Sequence, residues 1–106
     1  MFYVSKAMLS ESEKRSKLKR MSEIVAAVSH SSTDTRLIQE LIDLSAWPEF
    51  TGMDARRSRL IQNLTKIRKL KSRAALDECW KRIHSIVSDF PNEIAQHNYT
   101  SGNAIQ

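Results

Sequence analysis

Residues that could perform nucleophilic, acid-base or metal chemistry are few in this sequence. The histidines, His30, His84 and His97, lack the H-x-x-x-H spacing by which a helix presents two ligands to one metal ion. Cys79 has no second cysteine near it, and no recognised order of a nucleophilic triad is present. The sequence therefore predicts no enzyme, no metal and no other cofactor. Cys79 is expected as a buried thiol, and His84 as a half-exposed structural residue.

Positive charge is concentrated in one stretch of the chain. Seventeen basic and twelve acidic residues give a formal net charge of +5. Between Ala55 and Leu76 no residue is acidic and eight are basic: Arg56, Arg57, Arg59, Lys66, Arg68, Lys69, Lys71 and Arg73. The run is either a solvated face or a landing site for an acidic peptide or nucleic-acid phosphates. Trp47, Phe50 and Trp80 lie outside it, which disfavours stacking on single-stranded nucleic acid.

The composition restricts which elements can position these side chains. Two glycines and two prolines in 106 residues are too few for a β-sandwich, a barrel or a glycine-rich phosphate loop. Hydrophobic residues at 41% and charged residues at 27% are typical of one globular domain. No apolar run is long enough for a membrane span, and no signal peptide is evident. We expect a single all-α, intracellular domain.

The first predicted hairpin covers residues 10–47. Ser10 and Glu13 have the S-x-x-E spacing of a capping box, which predicts a helix start. Apolar residues then recur at intervals of three and four: Leu18, Met21, Ile24, Val25 and Val28. Asp34 is expected to cap a second helix that Pro48 ends. Its buried side is expected to comprise Leu37, Ile38, Leu41, Ile42 and Leu44.

The second predicted hairpin covers residues 59–90. Thr51 is expected to cap a short linking helix at residues 52–57, which leads into a longer helix. That helix is expected to direct four residues inward: Leu60, Ile61, Leu64 and Ile67. Ser72 is expected to cap the last helix, which Pro91 ends. Its inner face is predicted as Leu76, Cys79, Trp80, Ile83, Ile86, Val87 and Phe90.

The whole pattern predicts a compact bundle of two antiparallel helical hairpins joined by a short linking helix. Residues 10–91 form this domain, residues 1–9 are unassigned, and residues 92–106 are expected to be a flexible tail. If the hairpins pack side by side, the two interhelical turns share one end of the molecule. Leu70, in the second turn, then either lines an exposed pocket or covers the core beneath it.

Three segments carry a resemblance to a known family. They are LIQELIDL at residues 37–44, LIQNLTKIRKLKS at residues 60–72, and Trp80-Lys81-Arg82-Ile83. In order and spacing, they resemble the N-terminal domain (TND) of the elongation factor TFIIS and its relatives in Elongin A, Mediator and IWS. Two further segments, LKRMSEI at 18–24 and TKIRKLKS at 65–72, are most similar to the integrase-binding domain of LEDGF. The resemblance covers about residues 16–90.

The resemblance implies a five-helix right-handed bundle and a non-catalytic nuclear module of a LEDGF-like chromatin or transcription-elongation factor. Such domains bind short disordered motifs, in which acidic residues precede phenylalanines, where the interhelical turns converge. By position, the partner-binding pocket is then His30, Ser31, Thr33, Leu70 and Ser72. The basic rim is Lys66, Lys69 and Lys71. Apolar anchors would fill the pocket, while the rim lysines attract the acidic flank.

The turns depart from the family pattern at three positions. Ser31 stands where integrase-binding domains have an aspartate, Leu70 where they have a phenylalanine, and Ser72 where they have a valine. These differences predict a shallower, less apolar pocket and a partner other than lentiviral integrase. The alternatives are a small basic nucleic-acid-binding domain using residues 56–73, and a structural subunit that dimerises through Trp47 and Phe50. No membrane or small-molecule substrate is expected.

Overall fold

The computed structural model describes residues 10–30 and 32–96. Its elements are α1 (Glu11–His30), α2 (Thr35–Leu44), a 3₁₀ helix (Pro48–Phe50), α3 (Asp54–Ile67) and α4 (Arg73–Ser88). Residues 90–96 are also helical, and the described residues contain no strand. The all-α prediction is confirmed. The unassigned residues 1–9, Ser31 and His97 lie outside the described residues.

Short polar side chains start the helices as the sequence predicts. At α1, the Ser10 N–H donates to the Glu13 carboxylate and the Glu13 N–H donates to the Ser10 hydroxyl, each at 3.1 Å. The first of these bonds stabilises the charged form of Glu13 and holds its pKa below the ordinary value. Asp34 caps α2 by accepting from the Arg36 N–H at 2.9 Å, and Ser72 caps α4. These three predicted caps are confirmed.

The helices pack in chain order, and α4 joins the two pairs. The Arg20 guanidinium on α1 donates two hydrogen bonds, of 2.7 and 2.9 Å, to the Glu40 carboxylate on α2. Nearer the start of α1, the Lys17 ammonium lies 4.5 Å from the centre of the Trp47 ring, so α1 and α2 run antiparallel. α3 packs on α4, with the Cys79 thiol donating to the Asn63 carbonyl at 3.4 Å. α4 also packs on α1.

One continuous apolar core lies between the helices. All five apolar residues predicted for α1 are buried, whereas in α2 the flanking Leu37 and Leu44 are only half-buried against the core. In α4 the thiol of Cys79 is fully buried, as predicted, while Leu76 and Trp80 lie at the edge of the core. Among the described residues, no helix has both the length and the apolar composition needed to span a membrane.

The predicted short third helix is wrong. A single helix, Asp54–Ile67, replaces the predicted helices on either side of residue 57. Thr51 does not cap it; its N–H instead donates to the Pro48 carbonyl at 3.2 Å and closes the 3₁₀ turn. Gly52 then reverses the chain with a φ of +103°, a conformation that glycine adopts without strain. The predicted inward direction of Ile61 is also wrong, because its side chain is 44% exposed.

The chain does not stop being helical at Pro91. α4 ends at Ser88, and Pro91 lies in the first turn of the helical residues 90–96, where its missing N–H costs no hydrogen bond. Ile94, placed in the tail by the sequence, is buried in the core. The ordered domain therefore includes residues 92–96. Phe50, proposed as part of a dimer contact, is fully buried within its own chain.

The bidentate pair between Arg20 and Glu40 predicts a pH-dependent stability. Arg20 holds the pKa of Glu40 below its ordinary value of 4.5, so the pair stabilises the fold at neutral pH and this contribution disappears as the pH falls through the folded-state pKa. Both side chains are about 40% exposed, so screening by solvent keeps this contribution small. Urea unfolding of the wild type and Glu40→Gln from about pH 6 to about pH 3 should show the difference shrinking. A difference that is constant with pH, or one that persists in the Arg20→Gln background, would contradict this assignment.

Candidate functional site

The first interhelical turn leaves its predicted pocket residues on the surface. His30 is the last residue of α1, and both His30 and Thr33 are exposed. The Asp34 carboxylate, which follows this turn, is engaged as the cap of α2. Ser31 lies outside the described residues. Ser32 fixes the turn, because its hydroxyl accepts from the Asp34 N–H at 3.1 Å.

The second turn leads from the end of α3 into the cap of α4. The Lys69 N–H donates to the Lys66 carbonyl at 2.9 Å and the Leu70 N–H to the Ile67 carbonyl at 3.4 Å. Leu70 is half-buried and packs against the core, so it covers the core and still presents part of its side chain outward. The Ser72 hydroxyl accepts from the backbone of α4. The three predicted rim residues are all exposed: Lys66, Lys69 and Lys71.

A hydrogen bond to α4 fixes where the first turn lies. His84 Nε2 is 3.2 Å from the Ser32 carbonyl, which can only accept, so the ring N–H donates. The hydroxyls of Ser29 and Ser88 are 3.5 Å apart, which places the end of α1 beside the end of α4. Ser72 is twelve residues before His84, a length of about 18 Å along a helix. The two turns are therefore separated along α4 and do not meet at one point.

A row of three half-buried side chains on α4 connects the two turns. Leu76, Trp80 and His84 follow one another at intervals of four residues and so lie on one ridge of the helix. The Trp80 and His84 rings are 5.9 Å apart between centroids and are tilted by 48°. We call these three residues the α4 row. The sequence assigned Leu76 and Trp80 to the core, but their four-residue spacing at the edge of the buried stripe is a signal that could have identified the row.

Two arginines of the basic run are structural. The Arg56 side chain is only 15% exposed, and its guanidinium lies 3.2 Å from the Asp89 carboxylate and 3.0 Å from that of Glu93. It also donates to the Ile86 carbonyl, so it ties the start of α3 to the end of α4 and the helical residues beyond it. Arg57 pairs with Asp54 and donates to the carbonyl of Ser45 at the end of α2. These two charges hold the helices together and are not available to a partner.

The rest of the run is exposed, and most of it surrounds the second turn. Five side chains there form no ion pair with a carboxylate of the described residues, and we call them the basic tip: Lys66, Arg68, Lys69, Lys71 and Arg73. Arg59, also exposed, lies further back on α3. The basic tip combines positive charge with the half-buried Leu70. It can attract an anionic chain and offers one apolar contact beside it.

The charge at the start of α4 opposes the helix dipole. Arg73 is the first residue of α4, Lys71 precedes its cap, and the first turn contains no acidic residue. Cations near a helix N-terminus destabilise by about 0.3–1 kcal/mol each, because they face the positive end of the dipole. Asp77 and Glu78 lie in the second turn of α4. The charge at this helix start therefore departs from the pattern that stabilises a helix.

Other possible sites are weaker. Cys79 is fully buried, and the described residues contain no group of three or more metal-ligating side chains. An open groove of about 240 Å³ lies beside the half-buried Trp47, with Asp43, Ala46 and Pro48 as its other walls. The Lys17 ammonium lies over the Trp47 ring, so one side of this aromatic is already occupied.

Comparison with known proteins adds no constraint. No family model matches this chain, and no curated protein and no solved structure shows a significant match. The basic tip and the α4 row are the features of the structure that bear on its function.

The cations at the start of α4 predict a gain in stability when their charge is reversed. Arg73→Glu places an acid at the positive end of the helix and should stabilise the protein by about 1 kcal/mol. This gain should raise the melting temperature by about 4–8 °C. The same change at Lys66, in the last turn of α3, should lower stability, because a cation is favourable at a helix C-terminus. Thermal unfolding compares the two variants; equal shifts would mean that general charge repulsion governs both.

Proposed function

We propose that the basic tip and the α4 row form a docking surface for a short disordered peptide with acidic residues next to a bulky apolar one. The observation that carries this proposal is five exposed cations, without a carboxylate among them, around the half-buried Leu70. We further propose a non-catalytic, nuclear interaction module similar to the TND family, with a LEDGF-like role in chromatin or transcription elongation. The motif is then acidic and contains phenylalanine.

The two parts of the surface act at different stages of binding. Long-range attraction by the basic tip orients an acidic segment and increases the association rate. An apolar side chain that packs on Leu70 and along the α4 row sets the dissociation rate, because it removes apolar surface from water. An acidic peptide without the apolar residue binds weakly and loses affinity with salt.

The separation of the two turns defines the length of the peptide. An extended chain covers about 3.3 Å per residue, so about six residues span the 18 Å between Ser72 and His84. A peptide of this length contacts the basic tip at one end, crosses Trp80, and reaches Thr33 at the other. The predicted pocket residues of both turns then belong to one linear site rather than one notch.

The finer architecture belongs to the same proposal. Four helices, the 3₁₀ helix at Pro48–Phe50 and the helical residues 90–96 are compatible with a five-helix bundle of two hairpins. The 3₁₀ helix lies between α2 and α3, before the residues 52–57 predicted for the linking helix. We propose that the bundle is right-handed, as in the family that the sequence resembles.

Nucleic acid is the second candidate partner, because six exposed cations remain in residues 56–73. Arg56 and Arg57 are neutralised by carboxylates, which removes two phosphate contacts from the run. A phosphate-binding surface loses affinity steeply with salt and is insensitive to an uncharged change such as Leu70→Ala. A peptide-binding surface depends on Leu70 at every salt concentration.

The central test is the substitution Leu70→Asp. We expect a titration with a Glu/Asp-rich peptide containing phenylalanine to shift the amide signals of residues 70–72 and of Thr33, and the indole signal of Trp80. Leu70→Asp should abolish these shifts while the circular dichroism of the helices is retained. Ile61→Asp, the same change at an exposed apolar residue of α3, should leave binding intact. Equal loss in both variants, or shifts confined to other residues, would place the binding site elsewhere.

Charge reversal in the basic tip tests the electrostatic part. Lys69→Glu should slow association by about fivefold to tenfold at low salt and flatten its salt dependence, with a smaller effect on dissociation. Stopped-flow fluorescence with a labelled peptide measures both rates. Lys19→Glu, at an exposed cation on α1 that is not part of the basic tip, is the matched control. A gel shift of duplex DNA at two salt concentrations decides against the peptide if DNA binds and Leu70→Ala, which changes no charge, has no effect on it.

A further inference from the structure

Three exposed serines of the described residues lie among basic residues: Ser16, Ser58 and Ser72. The neighbours of Ser16 are Lys14, Arg15 and Lys17. Those of Ser58 are Arg56, Arg57 and Arg59, and those of Ser72 are Lys69, Lys71 and Arg73. Protein kinases that select basic substrates recognise such side chains through charge complementarity. By sequence alone the three serines are equivalent candidates, and the structure distinguishes them.

Backbone conformation and free charge both favour Ser72. Ser16 lies inside α1 and Ser58 inside α3, so the presentation of either serine to a kinase in an extended segment requires local unfolding of its helix. Ser72 lies between helices, with φ −81° and ψ 134°, which is extended backbone. Arg56 and Arg57 beside Ser58 are engaged in ion pairs, whereas Lys69 and Lys71 beside Ser72 are exposed.

We propose that Ser72 is a phosphorylation site for a serine/threonine kinase that selects basic substrates, and that its phosphate closes the basic tip to acidic peptides. ATP bound by the kinase is the phosphoryl donor. A bond forms between Ser72 Oγ and the γ-phosphorus while the bond from that phosphorus to the bridging oxygen breaks. ADP leaves, and the hydroxyl proton passes to the catalytic base of the kinase. The second half of this proposal rests on the proposed function.

The phosphate would lower the affinity for an acidic peptide and raise the stability of the domain. It adds a charge of about −1.5 to −2 in the middle of the basic tip, whose five cations then keep a net charge of about +3, so the potential that attracts an acidic segment is weakened. Its oxygens can replace the hydroxyl as acceptor for the Ala75 N–H, and they stand at the positive end of α4. Phosphorylation is therefore expected to weaken peptide binding and to stabilise the domain.

The experiment uses the full chain, ATP-Mg and the catalytic subunit of cAMP-dependent protein kinase, with protein kinase C as a second enzyme. Intact mass and peptide mapping should show one phosphoryl group, on Ser72. The group should be absent from Ser72→Asn, whose side chain keeps the helix cap but offers no hydroxyl, and present in Ser58→Ala. A phosphoryl group on Ser16 or Ser58, or none on Ser72 with either kinase, overturns the proposed site.

Binding and stability of the purified phosphoprotein test the consequence. Affinity for the acidic, phenylalanine-containing peptide should fall by about tenfold, and the melting temperature should rise. Phosphate on Ser72 with unchanged peptide affinity overturns the closing of the tip. If the unmodified chain does not bind the peptide at all, the proposed function fails, while mass mapping and the melting temperature still decide the phosphorylation site.

Discussion

Burial of one face of α4 against both α1 and α3 joins the two hairpins, and the position of every candidate site residue depends on it. The stripe from Cys79 to Val87 is buried, and its edge is formed by the α4 row. Since the end of α1 packs beside the end of α4, the first turn lies at His84 and not at the start of α4. The first turn thus lies towards the end of α4 and the second turn at its start, with the α4 row between them.

The arginines and lysines of the basic run divide according to burial. Arg56, which is largely buried, is satisfied by two carboxylates and a carbonyl, because an unpaired charge there would carry a large desolvation cost. The cations of the basic tip remain hydrated, and two of them oppose the dipole of α4. A surface that lowers the stability of its own helix is typical of a binding site, where local rules of folding are violated for function.

Local signals in the sequence predicted most of the helix starts and the core. Ser10, Asp34 and Ser72 cap helices because each bond joins residues two or three apart, which short-range chemistry determines. The prediction of a short third helix is wrong, because a turn at Gly52, and not a cap by Thr51, precedes α3. Periodicity also misplaced Ile61, which lies beside the buried stripe of Leu60, Leu64 and Ile67 and is 44% exposed. The distance between the turns depends on long-range packing, which no local pattern records.

Positive charge and apolar surface together would let the basic tip distinguish an acidic chain with an apolar side chain from other anionic chains. Exposed lysines attract any anionic chain, so the basic tip alone gives fast but unselective encounters. Leu70 and the α4 row add an apolar strip that polar nucleic-acid phosphates cannot use, and that an aromatic or aliphatic side chain can. The side chains of this strip are half-buried. In the proposed function, the affinity for a peptide therefore depends on several contacts along about 18 Å rather than on one deep pocket. A disordered segment that becomes extended along α4 satisfies this requirement, since it distributes its contacts over the whole length of the row.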